Sequence, residues 1–350
     1  MKFKIGNTIF GGEKCVVIAE AGVNHLGRMD YAEELIKTAA RAGADIVKFQ
    51  TYKAKKLVVK DAPRFWDWDG EKKPDGTQFD SYARLDSFDK EQYRFLKLLC
   101  DKYCVTFMST PFDNESADML VEIGMEGFKV ASCDITNFPF LSHLANKGLP
   151  ILLSTGASTI EEIKQAVELI ESHGNKNICI MQCTLCYPTD ADDANLAAIL
   201  DIKNNFKGYL LGLSDHTLET VIPAASVLYG VGVIEKHYTF DKTLPDSADH
   251  WLSLDENQLA QLVNYTSLLS KSIGHGRKEL LDCELPAHRN ARRSVVSSEL
   301  ITAGTIISGE MLTEKRPGTG LPPIFKSRII GRKARVDIPA DSLLKIEDFE

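Results

Sequence analysis

A single pattern recurs along the first 275 residues: a short apolar run that ends in polar residues, followed by an amphipathic stretch. Eight such runs occupy residues 15–22, 46–52, 106–112, 127–134, 150–156, 178–184, 209–215 and 232–239. The stretches YAEELIKTAARAG and TIEEIKQAVELIESHG are amphipathic and end at glycine, a usual helix stop. Eight β-α units over about 250 residues predict a (β/α)8 TIM barrel of the α/β class. A doubly wound open sheet is the main rival, but it seldom needs eight such regular units.

The repeating pattern stops after about Gly276. Residues 278–290 predict a linker, and residues 291–350 contain short β-like runs broken by glycine and proline. We therefore expect a barrel domain at 1–277 and a small, mostly β domain at 291–350. Residues 53–87, which include Trp66 and Trp68, form an unusually long link after the second strand. A link of this length is usually functional or disordered, and we predict a loop on the substrate side of the barrel.

Composition narrows the class of protein further. Of the 350 residues, 44% are hydrophobic and 26% are charged, as in soluble globular proteins. The formal net charge of −8 argues against nonspecific binding to nucleic acid or to an anionic membrane, so we expect neither partner. The N-terminus lacks the apolar segment of a signal peptide, and no apolar run approaches the roughly 20 residues of a membrane helix. Eight cysteines are too few for a disulfide scaffold, and we predict a reducing cytoplasm.

Polar side chains gather where the predicted strands end, which is where barrels of this type carry their chemistry. They are Glu20, Asn24, His25, Lys48, Gln50, Ser109, Thr110, Lys129, Ser132, Asp134, Ser154, Thr155, Thr184, Tyr187, Ser214, Asp215, His216, Glu235, Lys236 and His237. A lysine within an apolar β run is costly to bury without a partner. Lys48 and Lys129 therefore point to an anionic substrate, such as a phosphate or a carboxylate. The alternative is a pair of salt-bridged core lysines.

His216 and His237 end the seventh and eighth predicted strands, which are neighbours in a closed barrel. Two imidazoles with water or a nearby carboxylate suit Mn²⁺, Fe²⁺, Co²⁺ or Zn²⁺. Glu20, on the first strand, lies next to the eighth strand once the barrel closes. We therefore predict a metal site at the histidine pair, and hydrogen-bonded structural histidines are the alternative. His25 is a lesser candidate, because it can simply shape the loop that follows its strand.

Two further motifs give weaker indications of function. CTLC at residues 183–186 has the C-x-x-C spacing, but a redox or zinc role needs a thioredoxin-like context or a second cysteine pair, and neither is present. STGAST at residues 154–159 turns into a helix. We predict that Ser158 caps the N-terminus of that helix. The exposed backbone amides of the turn offer a site for a phosphate group.

Taken together, the motifs resemble those of the sialic acid (nonulosonate) synthases. The segments are IAEAGVNHLG, VKFQTY, STPFD, KVASCDITNFPFL, ILLSTGAS, CTLCYPT, GLSDHT, EKHYT and KRPGTG. The resemblance runs nearly from end to end, and the tail resembles the antifreeze-like (SAF) domain of that family. It implies a transferase that condenses phosphoenolpyruvate with an open-chain N-acylated hexosamine, such as N-acetylmannosamine, and releases phosphate by C–O cleavage.

The resemblance also implies roles for individual residues. His216 and His237 would bind a divalent metal, typically Mn²⁺, with Mg²⁺ or Co²⁺ as alternatives, and Glu20 would lie close to metal and substrate. Phosphoenolpyruvate would be held by Lys48, Lys129, Thr110, Ser132, Ser154 and Ser214. The sugar would be placed by Gln50, Asp134, Tyr187 and Asp249. In a domain-swapped homodimer, Arg316 of the partner subunit would reach the site from its SAF domain.

Three positions depart from the commonest pattern of these synthases: Asp134 stands in place of Glu, Leu185 in place of Asn or Ser, and Lys236 in place of Arg. These differences leave the sugar open, so legionaminate or pseudaminate synthesis, or a 6-phosphorylated acceptor, are alternatives. Two other classes also stay open. One is an aldolase that forms a Schiff base through Lys48 or Lys129, and the other is a non-catalytic carbohydrate-binding protein.

Overall fold

The chain divides into two units, Met1–Gly274 and His275–Glu350. A computed structural model describes residues 1–66, 76–86, 88–244 and 249–350. Most of the long link predicted at 53–87 is therefore described, whereas Trp68 and Ser87 lie outside the described residues.

Ten strands belong to the first unit: β1 (Phe3–Ile5), β2 (Thr8–Phe10), β3 (Val16–Gly22), β4 (Ile46–Thr51), β5 (Thr106–Pro111), β6 (Phe128–Val130), β7 (Ile151–Ser154), β8 (Ile178–Cys183), β9 (Leu210–Asp215) and β10 (Val233–His237). Strands β3 to β10 form one sheet in the order β5-β4-β3-β10-β9-β8-β7-β6, with parallel pairing. The two outer strands of that order, β5 and β6, also contact each other, which closes the sheet on itself. Each of the eight predicted runs contains one of these strands, so the predicted (β/α)8 barrel is confirmed.

Helices connect the strands: α1 (Met29–Ala42), α2 (Ala54–Leu57), α3 (Gln78–Ala83), α4 (Lys90–Lys102), α5 (Asn114–Glu122), α6 (Phe138–Ala145), α7 (Ile160–Ser172), α8 (Ala198–Asn205), α9 (Val221–Ala225) and α10 (Glu256–Ser272). Helix α1 ends at Gly43, whose φ of 81° is easily adopted only without a side chain. Helix α7 is capped by Thr159, in a capping box with Glu162, and not by Ser158 as the sequence led us to expect. In the described part of the chain, no helix has both the length and the apolar character needed to cross a membrane.

The inside of the barrel is apolar at one end and polar at the other. Near the N-terminal ends of the strands, inward side chains such as Val16, Ile46 and Val233 form a small core of their own. The hairpin β1–β2 adds Ile5 and Phe10 to this core, and both are fully buried. This hairpin therefore plugs the lower end of the barrel, which leaves the polar layer above it open to a substrate.

The second unit is built around a small antiparallel pair, β11 (Ser294–Ser297) and β12 (Leu312–Lys315). Isolated bridges such as Ile301 with Ile338 extend the β structure, and a separate apolar core fills the unit. Two short helices, α11 (Leu285–Asn290) and α12 (Lys326–Ile329), complete it. A small, mostly β C-terminal domain was predicted and is confirmed, and α11 falls within the stretch predicted as a linker.

The plug at the base of the barrel predicts a stability effect. Ile5→Ala should lower the free energy of unfolding by about 2–5 kcal/mol, because the surrounding strands cannot close the cavity. Ile9→Ala is the matched control on the same hairpin, since Ile9 is 61% exposed, and it should change stability by no more than about 0.5 kcal/mol. Chemical denaturation of both variants measures the difference. Equal small effects would mean that the hairpin does not contribute to the core.

Candidate active site

One pocket opens at the C-terminal ends of the barrel strands and gathers nearly all of the residues predicted from the sequence. Its lining includes Glu20, Lys48, Gln50, Thr110, Lys129, Ser132, Asp134, Ser154, Tyr187, Ser214, His216, His237 and Asp249. Parallel strands that close into a barrel present all their C-terminal ends at one face, which brings these distant positions together. Arg316, the remaining predicted residue, belongs to the second unit and follows β12 directly.

A buried cluster of two lysines and two glutamates lies at the centre of the pocket. Lys48 Nζ is 2.6 Å from Glu20 Oε2 and 3.6 Å from Glu235 Oε2, and it donates to Thr110 Oγ1 at 2.8 Å. Lys129 Nζ is 3.2 Å from Glu235 Oε1. Glu235 therefore bridges the two lysines. The alternative prediction, that Lys48 and Lys129 form salt bridges, is confirmed by these contacts. Both lysines nevertheless line a pocket and do not belong to the closed core.

The charges in this cluster favour the ionised forms of Glu235 and Lys48. Burial alone would raise the pKa of Glu235, but Lys129 and Lys48 outweigh it and lower that pKa to about 2. Burial likewise disfavours the charged form of Lys48, yet the carboxylates of Glu20 and Glu235 raise its pKa. The pKa of Glu20 is raised, by burial first and then by the negative charge of Glu235, even though Lys48 is close. Glu20 is thus the carboxyl of this cluster better suited to take up a proton.

Glu235 is the site residue to which sequence reasoning assigned no role. Glu235 is one of the polar residues at the predicted strand ends, but within the motif EKH at residues 235–237 only the histidine was assigned a role. The available signal was the alternation of the strand: Glu235 is two residues before His237, so both face the same side. Its carboxylate also accepts a hydrogen bond from Ser214 Oγ at 3.0 Å.

The two histidines lie side by side above this cluster, with ring centres 5.7 Å apart. His216 Nδ1 is 2.9 Å from the carbonyl oxygen of Thr184, a contact in which the nitrogen must donate. In the neutral ring, the other nitrogen, Nε2, carries a lone pair that can serve as a metal ligand. His237 Nδ1 is buried, finds no hydrogen-bond partner among the described residues, and is 3.7 Å from Asp249 Oδ2.

These donors fit a divalent cation. An unsatisfied buried imidazole nitrogen beside a carboxylate is costly unless something else occupies the space between them. Gly22 borders the same space with φ of 52°, and a Cβ there would lie 3.3 Å from Asp249 Oδ2 and 3.5 Å from Glu20 Oε1. Within the described ranges, however, no three His, Cys, Asp or Glu side chains form a ready-made metal site. The protein would therefore supply two imidazoles, and substrate or water would complete the coordination.

Burial also shifts the acidity of two carboxyls on the walls of the pocket. Burial, reinforced by the charge of Glu20, raises the pKa of Asp249 to about 7, despite the opposing effect of His216. Burial raises the pKa of Asp134 as well, although Asn137 Nδ2 donates to it at 3.1 Å. A raised pKa favours the neutral carboxyl, which can both donate and accept a hydrogen bond, and this suits the hydroxyls of a sugar.

The hydroxyls and the aromatic ring of the pocket are also well placed for a ligand. Ser154 Oγ is buried and makes no hydrogen bond with any described residue, so a ligand could use it. Ser132 Oγ accepts from the amide of Gly156 at 2.9 Å and keeps its own proton to donate. The ring of Tyr187 lies 4.0 Å from that of His216, measured between ring centres, and walls off one side of the histidine pair.

Several strand-end residues lie outside the pocket lining. Lys236 pairs with Asp215 and does not line the pocket, so this departure from the commonest pattern lies outside the pocket. Asn24 Nδ2 donates to the carbonyl of Tyr238 at 2.9 Å and braces two neighbouring strands. His25 packs against Phe88 and accepts a backbone hydrogen bond at Nδ1 from Gly27, so it shapes the loop after β3.

His25 should make stability depend on pH. Burial lowers its pKa to about 3, whereas in the unfolded chain it is about 6.5. The unfolded chain therefore binds a proton first, and the full stability present above pH 6.5 falls by about 1.4 kcal/mol per pH unit below it. Between pH 7.5 and 5, the wild type should lose about 2 kcal/mol more than His25→Gln in chemical denaturation. The exposed His173→Gln is the control, and a variant at His25 that follows the wild-type slope would contradict this assignment.

Comparison with known proteins agrees with the fold. The model of the NeuB family matches residues 35–278, and the model of the SAF domain matches residues 292–350. The chain is 36% identical to N,N'-diacetyllegionaminic acid synthase of Legionella pneumophila, over 96% of this chain and 95% of that protein. It is 34% identical to N-acetylneuraminate-9-phosphate synthase of Mus musculus, over 99% and 95%.

A solved structure is similar over most of the chain. It is the N-acetylneuraminic acid (sialic acid) synthetase of Leptospira borgpetersenii serovar Hardjo-bovis in complex with citrate, at 35% identity. The match has a TM-score of 0.72 and covers 82% of this chain and 94% of that one. With a family model over most of the barrel and relatives over almost its full length, this chain belongs to the NeuB family of sialic acid-type (nonulosonate) synthases.

Proposed function

We propose that this enzyme condenses phosphoenolpyruvate with an open-chain N-acylated hexosamine, such as N-acetylmannosamine, and releases inorganic phosphate. The observation that carries the proposal is a single pocket that holds two buried lysines at its centre and two histidines beside them. The lysines suit an anion, and the histidines suit a cation that can act on a carbonyl group.

Phosphoenolpyruvate would occupy the lysine side of the pocket. Its phosphate and carboxylate would contact Lys48 and Lys129, with hydroxyl donors from Thr110, Ser132, Ser154 and Ser214 around them. Both lysines are less than a tenth exposed, so their charges act in a medium of lower polarity than water. The same contacts hold the vinyl carbon of phosphoenolpyruvate at a defined distance from the sugar.

The sugar would occupy the histidine side. His216 and His237 would hold the divalent cation, Mn²⁺ in our proposal with Mg²⁺ or Co²⁺ as alternatives, and a cation bound there supplies Lewis acidity to the aldehyde. Gln50, Asp134, Tyr187 and Asp249 line the same pocket and would position the hydroxyl and N-acyl groups. Gln50 is itself held by a hydrogen bond from its Nε2 to Glu20 Oε1 at 3.0 Å.

The proposed reaction forms a C–C bond and a C–O bond and breaks the C–O bond to phosphate. C3 of phosphoenolpyruvate attacks the aldehyde carbon, and the aldehyde oxygen takes up a proton. Water adds to the cationic C2 and loses a proton, and the C2–O bond to phosphate then breaks while the new C2 hydroxyl gives up its remaining proton to the departing phosphate, which leaves a ketone at C2 and inorganic phosphate. Glu20 is our candidate for the group that handles the proton of this water, because its pKa is raised by burial while its carboxylate stays close to Lys48.

The rim of the pocket bears on which sugar is used. Most of its described residues are apolar or aromatic (Leu57, Val58, Phe65, Trp66, Tyr82 and Leu85), and Gln78, Ser81 and Arg84 are the polar residues among them. Two lysines of the same segment are engaged by carboxylates, because Lys53 pairs with Asp86 at 3.2 Å and Lys56 with Asp113 at 3.7 Å. The apolar part of this rim suits acceptors with extra acetamido or methyl groups, as in the di-N-acetylated precursors of legionaminate and pseudaminate, and we propose an unphosphorylated acceptor of this kind.

A panel of acceptors tests the function and the sugar together. Purified protein with phosphoenolpyruvate and Mn²⁺ would be given N-acetylmannosamine, its 6-phosphate, mannose or either di-N-acetylated precursor, and phosphate release would be measured. We expect release only when sugar, phosphoenolpyruvate and metal are all present, with the highest kcat/KM for an unphosphorylated N-acyl sugar. If no acceptor supported release, the proposed reaction would be wrong. Preference for the 6-phosphate would overturn only the choice of sugar.

A Schiff-base aldolase is the main rival, and the lysine contacts argue against it. A nucleophilic lysine needs a lowered pKa, whereas the pKa of Lys48 is raised by Glu20 and Glu235. Borohydride trapping with pyruvate should therefore give no covalent adduct. A purely carbohydrate-binding role would leave the lysine cluster without use, and phosphate release that requires all three components would exclude it.

The histidine pair carries a prediction for the metal. His216→Ala and His237→Ala should each abolish metal-dependent turnover and weaken Mn²⁺ binding, because each removes one of only two imidazole ligands. Mn²⁺ binding can be read directly by electron paramagnetic resonance, independently of turnover. His143→Ala, at a half-buried histidine outside the pocket that pairs with Asp118, is the control and should bind Mn²⁺ as the wild type does. Full Mn²⁺ binding by either site variant would end the metal assignment.

Arg316 is proposed to act from the SAF domain of a swapped homodimer. Arg316→Ala and His237→Ala should each be inactive alone, but mixed dimers would hold one intact site. Random 1:1 mixing should then restore about a quarter of wild-type activity, since half the dimers are mixed and each has one working site. No recovery in mixed dimers, with both parents inactive, would show that Arg316 does not act on the other subunit.

The setting we propose is the cytoplasm. All eight cysteines are free thiols, including Cys183 and Cys186 of the C-x-x-C motif, which fits a reducing compartment. The partners we propose are the two substrates and a second copy of the chain, with no nucleic acid and no membrane.

A further inference from the structure

Glu235 is the acidic residue that the proposed function leaves unused. Its carboxylate contacts both lysines, at 3.6 Å for Lys48 and 3.2 Å for Lys129, and it also accepts from Ser214. It is 5% exposed and lines the pocket. A buried carboxylate thus already stands where the proposed anionic substrate would find its two cations.

The two lysines differ in how much they depend on Glu235. Lys48 has a second and closer carboxylate in Glu20, at 2.6 Å. For Lys129, Glu235 is the carboxylate that forms its ion pair in the described structure. The cluster holds two positive and two negative side chains, so it has no excess charge with which to attract an anion from solution.

We propose that Glu235 is an internal counter-anion, which neutralises Lys48 and Lys129 in the empty pocket and with which an incoming phosphate or carboxylate must compete. This rests on the proposed function, because it assumes that the lysines receive the anionic substrate. Burying a lysine without a partner is expensive, so the empty site needs such a carboxylate to stay folded.

The competition has consequences for selectivity. An anion with one charged group meets lysines that are already paired, and it gains little by displacing Glu235. Phosphoenolpyruvate brings a phosphate and a carboxylate on one rigid frame, so it can engage both lysines at once. When the C2–O bond has broken, the phosphate that remains is a single group, and Glu235 returns to the lysines and displaces it.

The test is anion binding by the full-length protein with metal removed by EDTA. Isothermal titration calorimetry would measure the dissociation constants of inorganic phosphate and of phosphoenolpyruvate for the wild type and for Glu235→Gln. This substitution keeps the shape of the side chain and removes its charge. Phosphate should bind the variant at least about tenfold more tightly, because a negative charge within 4 Å of both lysines is gone. Glu235→Asp keeps the charge on a shorter side chain and should give an intermediate affinity.

Asp134→Asn is the matched control, since it removes one negative charge from the same pocket without touching either lysine. Its phosphate affinity should change by less than about threefold, because the effect is local to the lysines. Should Glu235→Gln be too unstable to titrate, phosphate should raise its thermal midpoint by more than it raises that of the wild type. Glu235→Asp provides the same comparison in a variant that retains its ion pairs in part.

The possible outcomes distinguish a failure of the counter-anion role from a failure of the proposed function on which it rests. If wild type binds phosphoenolpyruvate but Glu235→Gln binds phosphate no better, the counter-anion role is wrong and the proposed function stands. An equal gain in Asp134→Asn would also refute it, because the effect would then be general charge. Absence of phosphate and phosphoenolpyruvate binding in every variant would remove the anion site itself, and both proposals with it.

Discussion

The buried ion cluster of Glu20, Lys48, Glu235 and Lys129 is the constraint around which the upper half of the barrel is arranged. Each charge is compensated by a neighbour on another strand, so none of the four residues is tolerable alone. The register of the parallel strands sets these pairs, since β10 lies beside β3 and β3 beside β4. The closed barrel therefore has to form before the lysines can be buried.

Apolar packing below the cluster makes this arrangement possible. The lower strands and the hairpin β1–β2 form an apolar interior layer, in which Ile5, Phe10 and Ile46 are completely buried. Polar groups are confined to the C-terminal layer, where they can reach a ligand. The residues that stabilise the barrel thus lie towards the N-terminal ends of the strands, and the polar residues of the pocket lie at the C-terminal ends, as is general for barrels of this kind.

Most of this organisation was predictable, because the barrel converts a sequence pattern into spatial proximity. Once eight strands were recognised, every polar residue at a strand end was expected at one face, and Lys48, Lys129, His216 and His237 did meet there. Strand alternation already places Glu235 and His237 on one face of their strand and Lys236 on the other. What the sequence could not show is that Glu235 contacts both lysines, because these contacts join strands that are distant in the chain. The hairpin plug was also missed, because three-residue strands are too short to produce a periodic pattern.

The closed lower end gives the barrel a single mouth. On β10, Glu235 precedes His237 by two residues and so lies about 6–7 Å deeper along the strand. Whatever pairs with the lysines is consequently underneath whatever meets the histidines. Because the pocket opens at one end of the barrel, a ligand held at the histidines would cover a ligand held at the lysines. The hairpin of residues 3–10, which closes the opposite end of the barrel, would therefore make the deeper ligand enter first and leave last.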